Sequence, residues 1–218
     1  MIGAEKPPIK DFRFENLSYL TSKPNKQMGQ FLVEEIKFNK QDFTKIPLAK
    51  GDYENCTFNN CDFSNSDLSS FKFSECVFEG CNLSLAKLSN TALRDIQFKD
   101  CKMLGLRFDN CNLFGLAFSF ENCNLNHASF SQIKIKKTIF KNTQLHEADF
   151  TECDLTASIF ENCDLTRATF DNTLLEKVDF RTAFNYSIDP NINRIKKAKF
   201  ALQGVVGLLD KFDIEIED

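Results

Sequence analysis

Nine cysteines, two histidines and a long run of carboxylates are the side chains with chemistry to offer in this 218-residue chain. The cysteines fall at 56, 61, 76, 81, 101, 111, 123, 153 and 163, inside fragments such as ENCTFNNCDF (54–63) and FENCDL (160–165). Thiols five residues apart raise three possibilities: disulfides, metal ligands or a redox pair. Zinc asks for four converging ligands, commonly two to four residues apart and often including histidine, and a spacing of five does not supply them. His127, Glu147 and Arg167 lie at intervals of twenty, which reads as a column of surface charge. The eight glycines form neither a phosphate loop nor a dinucleotide fingerprint, and there is no nucleophile elbow or zinc-helix motif. A non-enzyme without cofactor or metal is expected.

What positions these residues is a period of five. A large apolar centre returns at every fifth position from Phe38 to Phe118, and again from Leu125 to Phe180. Helices repeat every 3.6 residues and strands every two, so the pattern calls for a chain that turns a corner every five. Four sides make a coil of twenty, and residues twenty apart should stack. Every fourth centre gives Phe38, Phe58, Phe78, Phe98 and Phe118 and then, after a two-residue slip placed in FSFENCNL (118–125), Phe140, Phe160, Phe180 and Phe200. All nine cysteines fall two residues before a centre. Cys61, Cys81, Cys101, Cys123 and Cys163 share one column, interrupted by Thr143; Cys56 and Cys76 belong to the phenylalanine wall. Ala, Ser, Thr, Val and Ile fill the same slot elsewhere, so the slot selects for size, and a buried thiol behaves as a small hydrophobe.

The opening MIGAEKPPIK holds no apolar stretch of the kind a secretory signal needs, and no run approaches the ~18 apolar residues of a membrane span. A cytoplasmic protein with reduced thiols is the expectation. A net charge of −4 argues against direct nucleic-acid binding, which needs a basic surface. Charge is unevenly distributed. Glu147, Asp149, Glu152, Asp154, Glu161, Asp164, Asp171, Glu176 and Asp179 face only Arg167 and Lys177, forming a candidate acidic interaction surface. A basic band follows at Arg181, Arg194, Lys196, Lys197 and Lys199, with a smaller cluster at Lys134, Lys136 and Lys137.

The repeat, best seen in CDLTASIFENCDLTRATF (153–170), resembles that of the pentapeptide-repeat family: small residue, Asn or Asp, Leu or Phe, polar, any. The resemblance covers about 38–200 and implies an all-β fold, a right-handed quadrilateral parallel β-helix. Residues 1–37 are then an N-terminal cap and loop, with Phe12 and Phe14 alternating and 21–30 polar. Residues 201–218 form a C-terminal cap, with Leu202, Val205, Val206, Leu209 and Phe212 on one helical face and Ile214 and Ile216 in a short edge strand. Gly204 and Gly207 each cost such a helix about 1 kcal/mol. Family members of the quinolone-resistance and microcin-immunity type act on a type II DNA topoisomerase as duplex-shaped decoys, and DNA-mimic members pair two rods through a comparable C-terminal segment. The resemblance thus implies a non-catalytic interaction rod that modulates or protects gyrase, as a homodimer. Two departures stand against it: no long loop leaves the coils, and the surface is less acidic than a committed DNA mimic. A structural scaffold or adaptor for another protein partner is the alternative.

Overall fold

The computed structural model describes residues 10–12 and 31–215. The chain winds as a four-sided parallel β-helix. One wall is an eight-stranded parallel ladder of β1 (Lys10–Phe12), β3 (Ile36–Asn39), β5 (Thr57–Asn59), β7 (Val77–Glu79), β9 (Ile96–Lys99), β10 (Phe118–Glu121), β11 (Ile139–Lys141) and β12 (Ile159–Glu161). We call this the first wall. The fourth wall carries β2 (Leu32–Glu34), β4 (Asp52–Glu54), β6 (Lys72–Ser74) and β8 (Ala92–Arg94). The second and third walls join their coils through single parallel bridges such as Asp62↔Asn82 and Ser129↔Asp149.

The corners explain the period. Two places after most centres the backbone turns left-handed, as at Asn55, Asn60, Asn65, Ser70 and Glu75, with φ between 51 and 62°. On the second wall the amide of Ser66 closes the turn onto Phe63 O at 3.0 Å, and Ala148 does the same onto Leu145 O at 3.1 Å. A positive φ at the third place of a four-residue turn is type II geometry. Asn bears that conformation better than most residues, because its short amide bonds locally. The ladder holds the corner in place: the Asn60 N–H donates to Glu79 O at 2.7 Å.

Inward side chains fill the coil. The rings of the first wall stack at 4.8 Å (Phe38–Phe58), 4.7 Å (Phe58–Phe78), 5.3 Å (Phe78–Phe98) and onward to Phe180–Phe200 at 5.4 Å. A second stack, unforeseen in the sequence, runs up the third wall through Phe108, Phe130, Phe150 and Phe170 at 4.7–5.1 Å. The two stacks meet edge to face: Phe130–Phe140 and Phe140–Phe150 are inclined at 89 and 88°. Aromatic pairs in this arrangement contribute about 0.5–1.5 kcal/mol beyond their buried area.

Phe118 is not in the phenylalanine column. Ala92 still pairs with Asn112, twenty residues on, but Ile96 pairs with Phe118 and Phe98 with Phe120. The two extra residues therefore enter between Asn112 and Phe118, upstream of the position expected for the slip. Phe120 stacks on Phe98, while Phe118 takes the slot two residues earlier, level with Ile96. Leu113, counted as a centre, is 54% exposed, and Phe114 is 79% exposed beneath the Arg94 guanidinium, 5.5 Å from its ring centroid. Gly115 makes the reversal at φ +71°.

The ends also differ from expectation. The β-helix begins before Phe38: β2 is centred on the buried Val33 and pairs with β4, and β1 pairs with β3, Phe12 opposite Phe38. Phe14 and the polar stretch 21–30 lie outside the described residues. At the C-terminus the chain forms 3-10 helices at Leu202–Leu208 and Asp210–Phe212 in place of an amphipathic α-helix. Gly204 and Gly207 are there for close approach, since a Cβ on either would overlap Tyr186. The Ile188 N–H donates to Gly207 O at 2.8 Å. Residues 213–215 carry no strand, Ile214 is exposed, and Ile216 lies outside the described residues.

Candidate interaction surface

All nine cysteines are free and buried. In seven of the nine the thiol also lies within hydrogen-bond reach of a carbonyl in the preceding coil. Cys81 Sγ lies 3.2 Å from Phe58 O, Cys101 Sγ 3.3 Å from Phe78 O, Cys123 Sγ 3.4 Å from Phe98 O and Cys163 Sγ 3.3 Å from Phe140 O, in each case the carbonyl of a centre in the preceding coil. Cys61 reaches Phe38 O at 3.6 Å. The Thr91 hydroxyl donates to Leu68 O at 2.7 Å and Thr173 to Phe150 O at 2.8 Å, the same bond made by a different group. Burial pushes the thiols of Cys111 and Cys163 up to about 12, which makes them poor nucleophiles. Among the described residues no three His, Cys, Asp or Glu side chains are placed to hold a metal ion.

The histidines face outward. His127 Nδ1 lies 3.4 Å from Glu147, whose other oxygen is 3.5 Å from Arg167, so the column read from the sequence forms. His146 Nε2 sits 2.9 Å from Asp164.

The nine candidate acids divide into two kinds. Asp149, Asp154, Asp164 and Asp179 each stand just before a centre and accept the N–H two residues on: Thr151 at 2.9 Å, Thr156 at 3.1 Å, Thr166 at 3.1 Å and Arg181 at 3.2 Å. This is an Asx turn, and it recurs at Asp62, Asp67, Asn82 and Asn124. Asp154 is buried, takes the Thr156 hydroxyl at 2.6 Å and pairs with Lys136 at 3.0 Å. Its carboxyl is pushed up by burial, but the bonds from Thr156 and Lys136 outweigh that and hold it below the usual range. Asp154 is thus part of the fold and offers little surface to a partner. Glu147, Glu152, Glu161, Asp171 and Glu176 have no such turn bond.

Once the register is known, charge sorts by wall. On the first wall the residues following the centres alternate in sign: Glu79 pairs in the ladder with Lys99, Lys99 with Glu121, Glu121 with Lys141 and Lys141 with Glu161. Lys141 Nζ lies 2.9 Å from Glu121, and the two shift each other's ionisation, Glu121 down and Lys141 up. That wall neutralises itself. The third wall is acidic towards its C-terminal end: Glu152 stands diagonally from Asp171 of the next coil, its N–H on Asp171 O at 2.7 Å, with Asp149 beside them. Among the described residues none of the three is ion-paired. Leu202, Val205, Val206 and Phe212, the candidate dimer contacts, are exposed; Leu209 is half-buried, and Leu208 packs onto the core. No helix among the described residues is long and apolar enough to cross a membrane.

A family model described as pentapeptide repeat region matches residues 51–119 and 106–180. Comparison with curated proteins finds no match. Among solved structures, a trypsin-treated variant of QnrB1, a plasmid-mediated fluoroquinolone resistance protein, aligns with a TM-score of 0.56 at 18% identity, covering 84% of this chain and 99% of that one. HetL, a pentapeptide repeat protein involved in heterocyst differentiation regulation in the cyanobacterium Nostoc, aligns with a TM-score of 0.34 at 16% identity over 79% of this chain and 87% of that one. With coils of five-residue sides, a corner at each fifth residue and a family model spanning 51–180, the chain belongs to the pentapeptide-repeat family.

Proposed function

We propose that this protein is a non-catalytic rod that binds a protein partner through its outward walls. The observation that carries the reading is the filled interior: the inward positions of successive coils are occupied by stacked rings, aliphatic centres and small donors. The chemistry that varies from coil to coil is therefore on the outside, sorted by wall. The buried, unpaired thiols suit a reducing compartment such as the cytoplasm.

A finer reading makes the partner a type II DNA topoisomerase, with the acidic end of the third wall standing in for phosphates. It is supported by the row of Asp149, Glu152 and Asp171 beside Glu147 and by the likeness in fold to QnrB1, the described fluoroquinolone resistance protein. The self-neutralised first wall limits the mimicry to one face. The exposed Leu202, Val205, Val206 and Phe212 suit pairing of two rods end to end. A supercoiling assay with gyrase, with and without a quinolone, tests the topoisomerase reading. Inhibition or protection that is lost in Glu147→Lys, Glu152→Lys, Asp171→Lys supports it; no effect at micromolar protein removes it. The broader rod reading is tested by affinity enrichment compared between the wild type and that same variant.

A further inference from the structure

Towards its C-terminal end the fourth wall carries the opposite charge, and a cavity opens at its edge. Lys134 stands in line with Asp154, Leu174 and Arg194. Beside that line Lys136, Thr156, Glu176 and Lys196 follow each other from coil to coil, and the corner holds Lys137, Ala157, Lys177 and Lys197, all left-handed at φ 59–62°. In the coils after the insertion, seven exposed cations thus share three adjacent columns with two carboxylates, whereas before it the same columns hold Glu34, Glu35, Asp52, Glu54, Glu75 and Asp95. Only Lys136 is ion-paired among the described residues, with the buried Asp154. The first wall, by contrast, alternates sign. In these columns Lys177 follows directly under Lys197 at the ~4.8 Å coil spacing, where like charges repel. The third wall next to it is acidic.

The cavity, of about 320 Å³, lies where the two-residue insertion interrupts the fourth wall. Among the described bridges none joins Asn112 to Lys134, so the coils on either side part there. Ile96, Leu116, Ala117 and Phe118 form its apolar side, and Lys136 and Lys137 stand on its rim, with Asp95 opposite. The basic columns therefore run directly into an open hollow with a partly apolar floor.

We infer that the C-terminal half of the fourth wall is a docking surface for an extended acidic peptide segment of a partner protein, with one apolar side chain seated in the Ile96–Phe118 cavity. The inference rests on the interaction-rod reading but concerns a different wall from the one assigned to a topoisomerase. Charge complementarity selects an anionic partner. A single row of carboxylates one chain wide fits the columns, whereas a nucleic-acid duplex would also meet the acidic third wall. Among the described residues Phe114, under Arg94, is the single exposed ring beside these columns, too few for successive single-stranded bases to stack on.

The test is fluorescence anisotropy of the full chain with a labelled Asp/Glu-rich dodecapeptide containing one central Phe. Saturable binding is expected, falling at least tenfold when salt is raised from about 50 to about 500 mM. A drop of similar size is expected in Lys177→Glu, Lys197→Glu, and one of at least threefold when the peptide Phe is replaced by Ser. Both lysines are exposed corner residues, and Glu already occupies such corners at Glu147 and Glu152, so the thermal midpoint should hold. The salt and peptide arms use only the wild-type protein and do not depend on the variant folding. Absence of binding, equal binding of a Lys-rich control peptide, or tighter binding of a labelled DNA duplex than of the acidic peptide would each overturn the inference. A negative gyrase assay would leave it standing.

Discussion

The ring of Phe120 stacks on that of Phe98 at 5.4 Å and 10° although twenty-two residues, not twenty, separate them. The insertion is absorbed before the first wall is reached, leaving the aromatic column continuous.

Truncation of either ring should therefore be costly. Phe98→Ala and Phe120→Ala each lose a fully enclosed ring and are expected to destabilise the protein by about 3–5 kcal/mol in urea unfolding. Leu113→Ala, in a side chain that looked like a centre but stands half in solvent, should change stability by less than about 1 kcal/mol. A large loss at Leu113 with a small one at Phe120 would reverse the register assigned here.

The thiols make a second test. Nine should titrate in denaturant without reductant and few in the folded state, because burial raises those such as Cys111 and Cys163 well above neutral pH. Cys101→Thr keeps the donor to Phe78 O, as Thr91 and Thr173 do in their own slots, and should cost under about 1 kcal/mol. Cys101→Leu overfills the slot and should cost about 1–3 kcal/mol. Equal effects of the two would mean that neither size nor the hydrogen bond matters there.

Acid should weaken the C-terminal coils through Asp164. Burial raises its carboxyl, but bonds from Thr166, Asn185 and His146 prevail and hold it at about 2, below the ordinary 3.8. A carboxyl lowered by folding stabilises fully above its unfolded value and loses that contribution as pH falls through its folded value. Thermal midpoints should thus be flat from neutral pH to about 5 and fall between about 4 and 2. In Asp164→Asn the neutral midpoint should be lower and the acid decline shallower; an unchanged profile would exclude Asp164 as its source.

Charge reversal should separate turn acids from surface acids. Glu147→Lys, Glu152→Lys and Asp171→Lys should leave the unfolding midpoint nearly unchanged, as exposed charges usually do. Asp154→Lys places a second cation against Lys136 in a buried site and should cost about 3–5 kcal/mol. Comparable losses in both sets would mean that the surface acids also serve the corners.

Much of this architecture is legible in the sequence because a centre accepts few residue types, so the period survives inspection. The coil of twenty follows from the phenylalanine column alone. The insertion was misplaced for a physical reason: FSF at 118–120 offers a phenylalanine in both registers, and only hydrogen-bond pairing tells them apart. The slot reads as a choice of size because Ala, Val and Ile share it with Cys, Ser and Thr; that most of its thiols also reach a carbonyl of the preceding coil shows only in the fold. The C-terminal glycines read as poor helix formers because nothing local reports that Tyr186 lies against them. Charge segregation by wall does not show along the chain, since neighbours in sequence sit around corners from one another.

The Asx turns bear on how the whole family's sequences should be weighed. An aspartate just before a centre satisfies a corner amide in coil after coil. Wherever Asp rather than Asn fills that place, lengthening such a rod adds negative charge as a by-product of its own folding, before any selection by a ligand. The chain's pI of about 5.4 is in part an architectural signature, and a low isoelectric point in a protein of this kind is poor grounds for assigning it a nucleic-acid-mimicking role. Carboxylates that the corners do not use, such as Glu152 and Asp171, are the better indicator.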